Sequence, residues 1–139
     1  MYVEHGYIQD WVQSHEATVL DAGYAAHFDA TLGALPWRVA APDWSAIGTV
    51  RIHLDDATLW DQVQRTPVGA FESVFFIWSA DQPGIVAPLR YIVRDLDVLT
   101  WRAAGWRFFC GAQRGPRGWQ IEPDHFGAYS GNDHVTLRL

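Results

Sequence analysis

Residues 106–113 and 119–122 are aromatic-rich or alternating segments separated by Arg114, Gly115, Pro116, Arg117 and Gly118. A Gly-Pro turn this short sends the chain straight back along itself, so the stretch reads as a β-hairpin. The hairpin commits the chain to a sheet, and every other element must find a place at its edges or on its faces. Residues 134–139 supply a last strand, with Val135, Leu137 and Leu139 facing inward.

Upstream, Val50, Ile52 and Leu54 alternate with Arg51 and His53, the period of a half-buried strand. Asp55 and Asp56 then stand as N-cap candidates for a short helix carrying Leu59, Trp60 and Val63, which ends near Pro67 and Gly69. Residues 71–80 form a second strand, apolar enough to lie centrally. The three together make a β-α-β unit, parallel if both strands share one sheet.

Two helices complete the pattern. Residues 7–32 place Tyr7, Ile8, Trp11, Val12, His15, Thr18, Val19, Ala22 and Ala26 along one stripe at helical spacing, which predicts a long amphipathic helix with Gly23 as the point where it would break. After a turn at residues 81–84, Leu89, Ile92, Val93, Leu96, Leu99 and Ala103 share a face that stops at Gly105. Residues 32–48, punctuated by Pro36, Pro42 and Gly48, read as an irregular connection holding Trp37 and Trp44. The order α-β-α-β-α-β-β-β gives an α+β (or α/β) fold, a mixed β-sheet flanked by helices, in a single domain over residues 1–139.

Length and composition agree with this. A chain of 139 residues that is 49% hydrophobic and 19% charged is long enough for one continuous core and too apolar to remain disordered. No run approaches the roughly 18 apolar residues of a membrane span, and the N-terminus has neither the basic start nor the apolar run of a secretory signal. A cytoplasmic protein with no membrane partner is the expectation. Cys110, the single cysteine, sits among aromatics and small residues and reads as a buried structural thiol.

The charges are unevenly placed. Residues 1–61 hold two Arg and nine acids, a net −7, while residues 62–139 hold eight Arg and seven acids, a net +1. An acidic half repels phosphate backbones and steers cationic proteins toward itself. The one basic run, Arg102, Arg107, Arg114 and Arg117 interleaved with Trp101, Trp106 and Trp119, has the composition of a single-strand nucleic-acid surface. Its Arg residues flank a tight turn in an acidic chain, which argues for a solvated hairpin tip instead.

Candidate chemistry is sparse. Asp124 and His125, then Asp133 and His134, are two Asp-His pairs expected in the Gly-rich connection between the hairpin and the last strand. An Asp orienting a His base, or a divalent cation held by both, is the chemistry such pairs allow. Their spacing matches no zinc or metalloprotease motif, and residues 130–133 are ordinary turn formers, so no metal and no cofactor is expected. His53 and Asp55, with Asp56, form a second cluster at the end of the first strand. The two clusters merge only if the last strand pairs with the first. No Ser lies in a G-x-S-x-G elbow.

Residues 54–63 resemble a short Leu-Asp-Ala-Leu-Trp-Asp run of barstar-type ribonuclease inhibitors, over those ten residues and without the surrounding pattern. The reading that follows from the whole chain is a non-enzymatic protein-binding domain of bacterial immunity or inhibitor type, neutralising a basic toxin or nuclease. Its partner surface is expected at Trp37, Asp43 and Trp44, extended by Asp55, Asp56 and Asp61. The alternative is a small enzyme or small-molecule binder that uses Asp124, His125, Asp133, His134 and His53. The two differ in an observable way, because an enzyme needs a concave pocket where those side chains converge.

Overall fold

The computed structural model describes residues 6–100 and 105–139, so Trp101 and Arg102 of the basic run lie outside the described residues. Among the described residues seven strands form one sheet: β1 (Thr18–Leu20), β2 (Thr49–His53), β3 (Ser73–Ile77), β4 (Gly84–Pro88), β5 (Arg107–Gly115), β6 (Gly118–Tyr129) and β7 (His134–Arg138). Their order across the sheet is β1-β4-β3-β5-β6-β7-β2. Every neighbouring pair is antiparallel, so the sheet is antiparallel where a mixed one is expected from the sequence. β2 and β3 do run in the same direction, as the β-α-β reading requires, but β7, β6 and β5 lie between them.

The described helices cover both faces. α1 (Gly6–Ser14), α4 (Leu59–Gln64), α5 (Leu89–Arg94) and α6 (Leu96–Thr100) pack on one side through Trp11, Val63, Ile92 and Leu99. α2 (Ala22–Gly33) and α3 (Trp44–Ile47) pack on the other through Phe28, Leu32, Trp44 and Ile47. β3 shows why both faces are needed. Its Val74 and Phe76 belong to the first core and its Phe75 and Ile77 to the second, so no position alternates to solvent. Burying these four side chains contributes about 1.5–3 kcal/mol each.

The long first helix is instead α1, β1 and α2. Glu16 adopts φ 52°, and the Ala17 N–H donates to the Val12 carbonyl at 3.0 Å around it. This is a left-handed helix stop of the kind glycine usually makes. Thr18 and Val19 then suit a strand, and Asp21 restarts the helix by accepting from the Gly23 N–H at 2.9 Å. The helix expected over residues 89–103 is likewise divided, into α5 and α6, at Asp95. β4 precedes it, making a hairpin with β3 that the sequence pattern does not announce.

The β5–β6 hairpin forms as expected but extends much further. Gly111 pairs with Glu122 and Cys110 with Phe126, so Pro123, Asp124 and His125 are extra residues bulging from β6. Pro123 has no N–H to give the ladder, which fits a place where pairing lapses.

Candidate functional site

The register of β2 against β7 sets His53 opposite His134, so the last strand does pair with the first and the two candidate clusters meet there. Their rings lie 4.8 Å apart, edge to face. His53 Nδ1 accepts the Asp55 N–H at 3.0 Å, which leaves the proton on Nε2. His134 Nδ1 donates to the Asn132 carbonyl at 3.0 Å. With the Asn132 amide turned so that its oxygen faces Arg51, Arg51 donates to that oxygen at 2.9 Å and the amide nitrogen donates to the His134 carbonyl at 3.0 Å; in the opposite orientation the oxygen accepts the His134 N–H at 3.3 Å. Asp133 sits in the left-handed region at φ 62°, closing the turn before β7, and its carbonyl accepts from Leu54.

Asp124 and His125 do not join them. They belong to the bulge of β6 and not to the connection before β7. Asp124 pairs with Arg138 at 3.8 Å, and the His125 ring leans on Phe71 with centroids 5.9 Å apart. β6 pairs with β7 through Gly127 with Leu137 and Ala128 with Thr136, so His125 lies toward the Arg138 end of β7 and away from His134.

The resulting arrangement holds little chemistry. Among the described residues no group of three His, Cys, Asp or Glu lies close enough to hold a metal ion. His53 and His134 line neither the hollow of about 470 Å³ beside Trp60 and Tyr91 nor the one of about 570 Å³ beside Gln113 and Trp119. Cys110 is fully buried, and burial pushes its thiol up, away from the reactive thiolate.

The Trp-bearing connection is ordered where an irregular loop is expected. Trp37 and Pro42 form an antiparallel bridge, the Arg38 N–H donates to the Ala41 carbonyl at 2.8 Å, and the Asp43 N–H donates to the Pro36 carbonyl at 2.8 Å. The Trp37 indole N–H is fastened to the Leu32 carbonyl at 2.8 Å, yet 44% of the residue is exposed. Val39, at the tip, is fully exposed. Asp43 caps α3, accepting from Ser45 at 2.9 Å and pairing with Arg38 at 3.5 Å. The Ser45 bond, with help from the Ala46 N–H and Arg38, lowers the Asp43 pKa.

Trp44 is half-buried, packed edge to face on Trp106 at 5.0 Å against the second core, and Trp119 is half-buried on the same core. Trp44, expected on the partner surface, thus serves with Trp119 mainly to cover the sheet. The acids beyond β2 fall elsewhere. Asp55 is 93% exposed, Asp61 is exposed on α4, and Asp56 accepts from the Thr58 backbone and hydroxyl at 2.8 and 2.7 Å. Those bonds lower the Asp56 pKa and set the turn into α4. Since α3 packs on the second core and α4 on the first, the expected partner surface is divided between two faces of the sheet.

Arg107 donates to the Trp106 carbonyl at 3.0 Å, and the Arg114 guanidinium lies over Trp119 at 5.6 Å. Two features escape sequence reasoning. Trp11 donates to Asp95 at 2.8 Å while Arg94 donates to the same carboxylate at 2.6 Å, joining α1 to α5 beside a stacked Trp11–His15 pair. Glu72 and Phe71 separate the two hollows, with Arg90 stacked on Trp60 at 5.2 Å in one and Arg114 on Trp119 in the other. Only the Arg114–Trp119 facing is signalled in the sequence, by the hairpin turn. Compared with protein-family models, curated proteins and solved structures, the chain matches none.

Proposed function

We propose that this chain is a non-enzymatic protein-binding domain that engages a basic protein, as an inhibitor or immunity protein engages a toxin. The observation that carries the reading is the self-bonded loop over residues 35–43, which presents Trp37 and Val39 to solvent. An exposed apolar pair on a loop already fixed by its own hydrogen bonds loses little freedom when a partner covers it. Tryptophan is also the residue type most enriched among interface anchors. The acid excess of residues 1–61 supplies long-range attraction for a cationic partner. Asp43 belongs to the loop's own scaffold, and Asp55 and Asp61 act as steering charges rather than contacts.

The test places a photo-crosslinking residue at Val39 and exposes the chain to extract of its native host. A basic protein linked at position 39 in the native sequence, and lost with Trp37→Ala, is the expected result. A linked protein that is acidic, or that is retained in full by Trp37→Ala, contradicts the reading.

A further inference from the structure

Among the described residues the sheet ends on β2, and no described strand pairs with the outer side of that strand. Two bonds fix which of its backbone groups face β7: the Leu54 N–H donates to the Asp133 carbonyl at 2.8 Å, and the Leu139 N–H donates to the Gly48 carbonyl at 3.1 Å. Bonded pairs recur at every second residue of an antiparallel ladder. Gly48, Val50, Ile52 and Leu54 therefore turn their backbone groups toward β7, and Thr49, Arg51 and His53 turn theirs outward. The His53 carbonyl is taken by the Asp56 N–H at 3.0 Å. The N–H groups of Thr49, Arg51 and His53 and the carbonyls of Thr49 and Arg51 have no partner among the described residues. Such a row is a template for another strand.

The side chains state which kind. Arg51 and His53 are exposed on one face of β2, beside His134 and Arg138 of β7. Arg138 pairs with Asp124 at 3.8 Å and the Asp55 carboxylate lies 4.0 Å from the His53 ring, whereas Arg51 has no carboxylate partner among the described residues and meets the amide of Asn132. On the other face, Val50 and Leu54 are only partly buried at the rim of the first core. A strand laid along β2 would thus place alternate residues beside a cation and beside an incomplete apolar surface. The opposite edge, β1, offers three residues and follows Glu16.

We propose that β2 accepts an extended acidic segment of a partner protein, alternating carboxylate and apolar residues, as an eighth strand. Charge complementarity at Arg51 selects the segment, and the outward backbone groups supply its hydrogen bonds. This surface is separate from the loop over residues 35–43 and stands or falls without it.

The experiment titrates the ¹⁵N-labelled full chain with a capped peptide of four Val-Glu repeats and, separately, one of four Val-Lys repeats. The Val-Glu peptide is expected to shift the amides of Thr49, Arg51 and His53, to slow their hydrogen exchange, and to bind roughly tenfold tighter than Val-Lys. Arg51→Glu reverses that preference. Arg51→Pro removes an outward N–H without breaking a bond to β7, and it abolishes binding; if it fails to fold, Arg51→Glu decides alone. Shifts confined to other strands, equal binding of the two peptides, or a preference unchanged by Arg51→Glu would overturn the proposal. So would protection of these amides in the protein alone with sedimentation at twice the monomer mass, which makes the occupant a second copy.

Discussion

Glu16 ends α1 in the conformation that glycine ordinarily takes, and this one residue accounts for the largest difference between the helix expected over residues 7–32 and the α1-β1-α2 found there. The apolar period runs through the break, and a helix stop written with glutamate carries no signal in composition. A left-handed non-glycine residue costs about 1–2 kcal/mol, partly offset by the extra freedom glycine has when unfolded. Glu16→Gly is accordingly expected to stabilise the fold by roughly 0.5–1 kcal/mol, read from denaturant midpoints; a lower midpoint contradicts the helix-stop account.

Two buried acids set the alkaline limit. Burial raises the pKa of Cys110 above its ordinary 9.0 and that of Tyr129, which also donates to Asp97, above its ordinary 10.0. The folded state holds these protons more tightly than the unfolded one, so their contribution is complete below the unfolded values and is lost as pH rises past them. Stability should fall from about pH 9 upward, by as much as ~1.4 kcal/mol per pH unit for each group. Unfolding titrations at pH 8 and pH 10.5 should show a shallower loss for Cys110→Ala, and an equal loss would contradict the assignment.

At the scale of elements, what could be read was local and what could not was distant in sequence. The β5–β6 hairpin, the β2–α4–β3 succession and the centrality of β3 follow from turn residues and apolar period, and the structure has them. β4 was not legible, because residues 84–88 are an apolar run lying between a turn and a helix with no alternation to mark them. Nor was the bulge that removes His125 from His134, since a bulge is set by what the neighbouring strand requires. Gly127, just beyond it, is opposed by Phe109 and by Leu137 Cδ2, the latter 2.7 Å from where a Cβ would lie. Gly127→Ala should cost about 1–3 kcal/mol in thermal or chemical unfolding, and a cost near zero would show that β6 can shift. His125 and His134 make no buried polar contact, so His125→Ala with His134→Ala should cost under about 1 kcal/mol by the same measurement. A larger loss would give the two rings a role in holding β2 to β7 and the bulge to Phe71.

For the molecule as a whole, residue types that carry chemistry are present, but the fold spreads them out. The sequence allowed His53 to meet His134 through one long-range pairing, and that pairing occurs, at the edge of the described sheet and away from the hollows beside Trp60 and Trp119. It gave Trp37 and Trp44 equal standing, and only packing separates them: Trp44 covers the second core while Trp37 faces solvent on an ordered loop. On the proposed function, this loop anchors a basic protein which the acidic half attracts. Its most direct test is the association and dissociation kinetics of the crosslinked partner at low and high salt, for the native chain, Asp55→Asn with Asp61→Asn, and Trp37→Ala. The account predicts that the Asp changes slow association and flatten its salt dependence, while Trp37→Ala speeds dissociation about 30-fold, the equivalent of roughly 2 kcal/mol. Association rates indifferent to salt and to the Asp changes, with dissociation unmoved by Trp37→Ala, would contradict it.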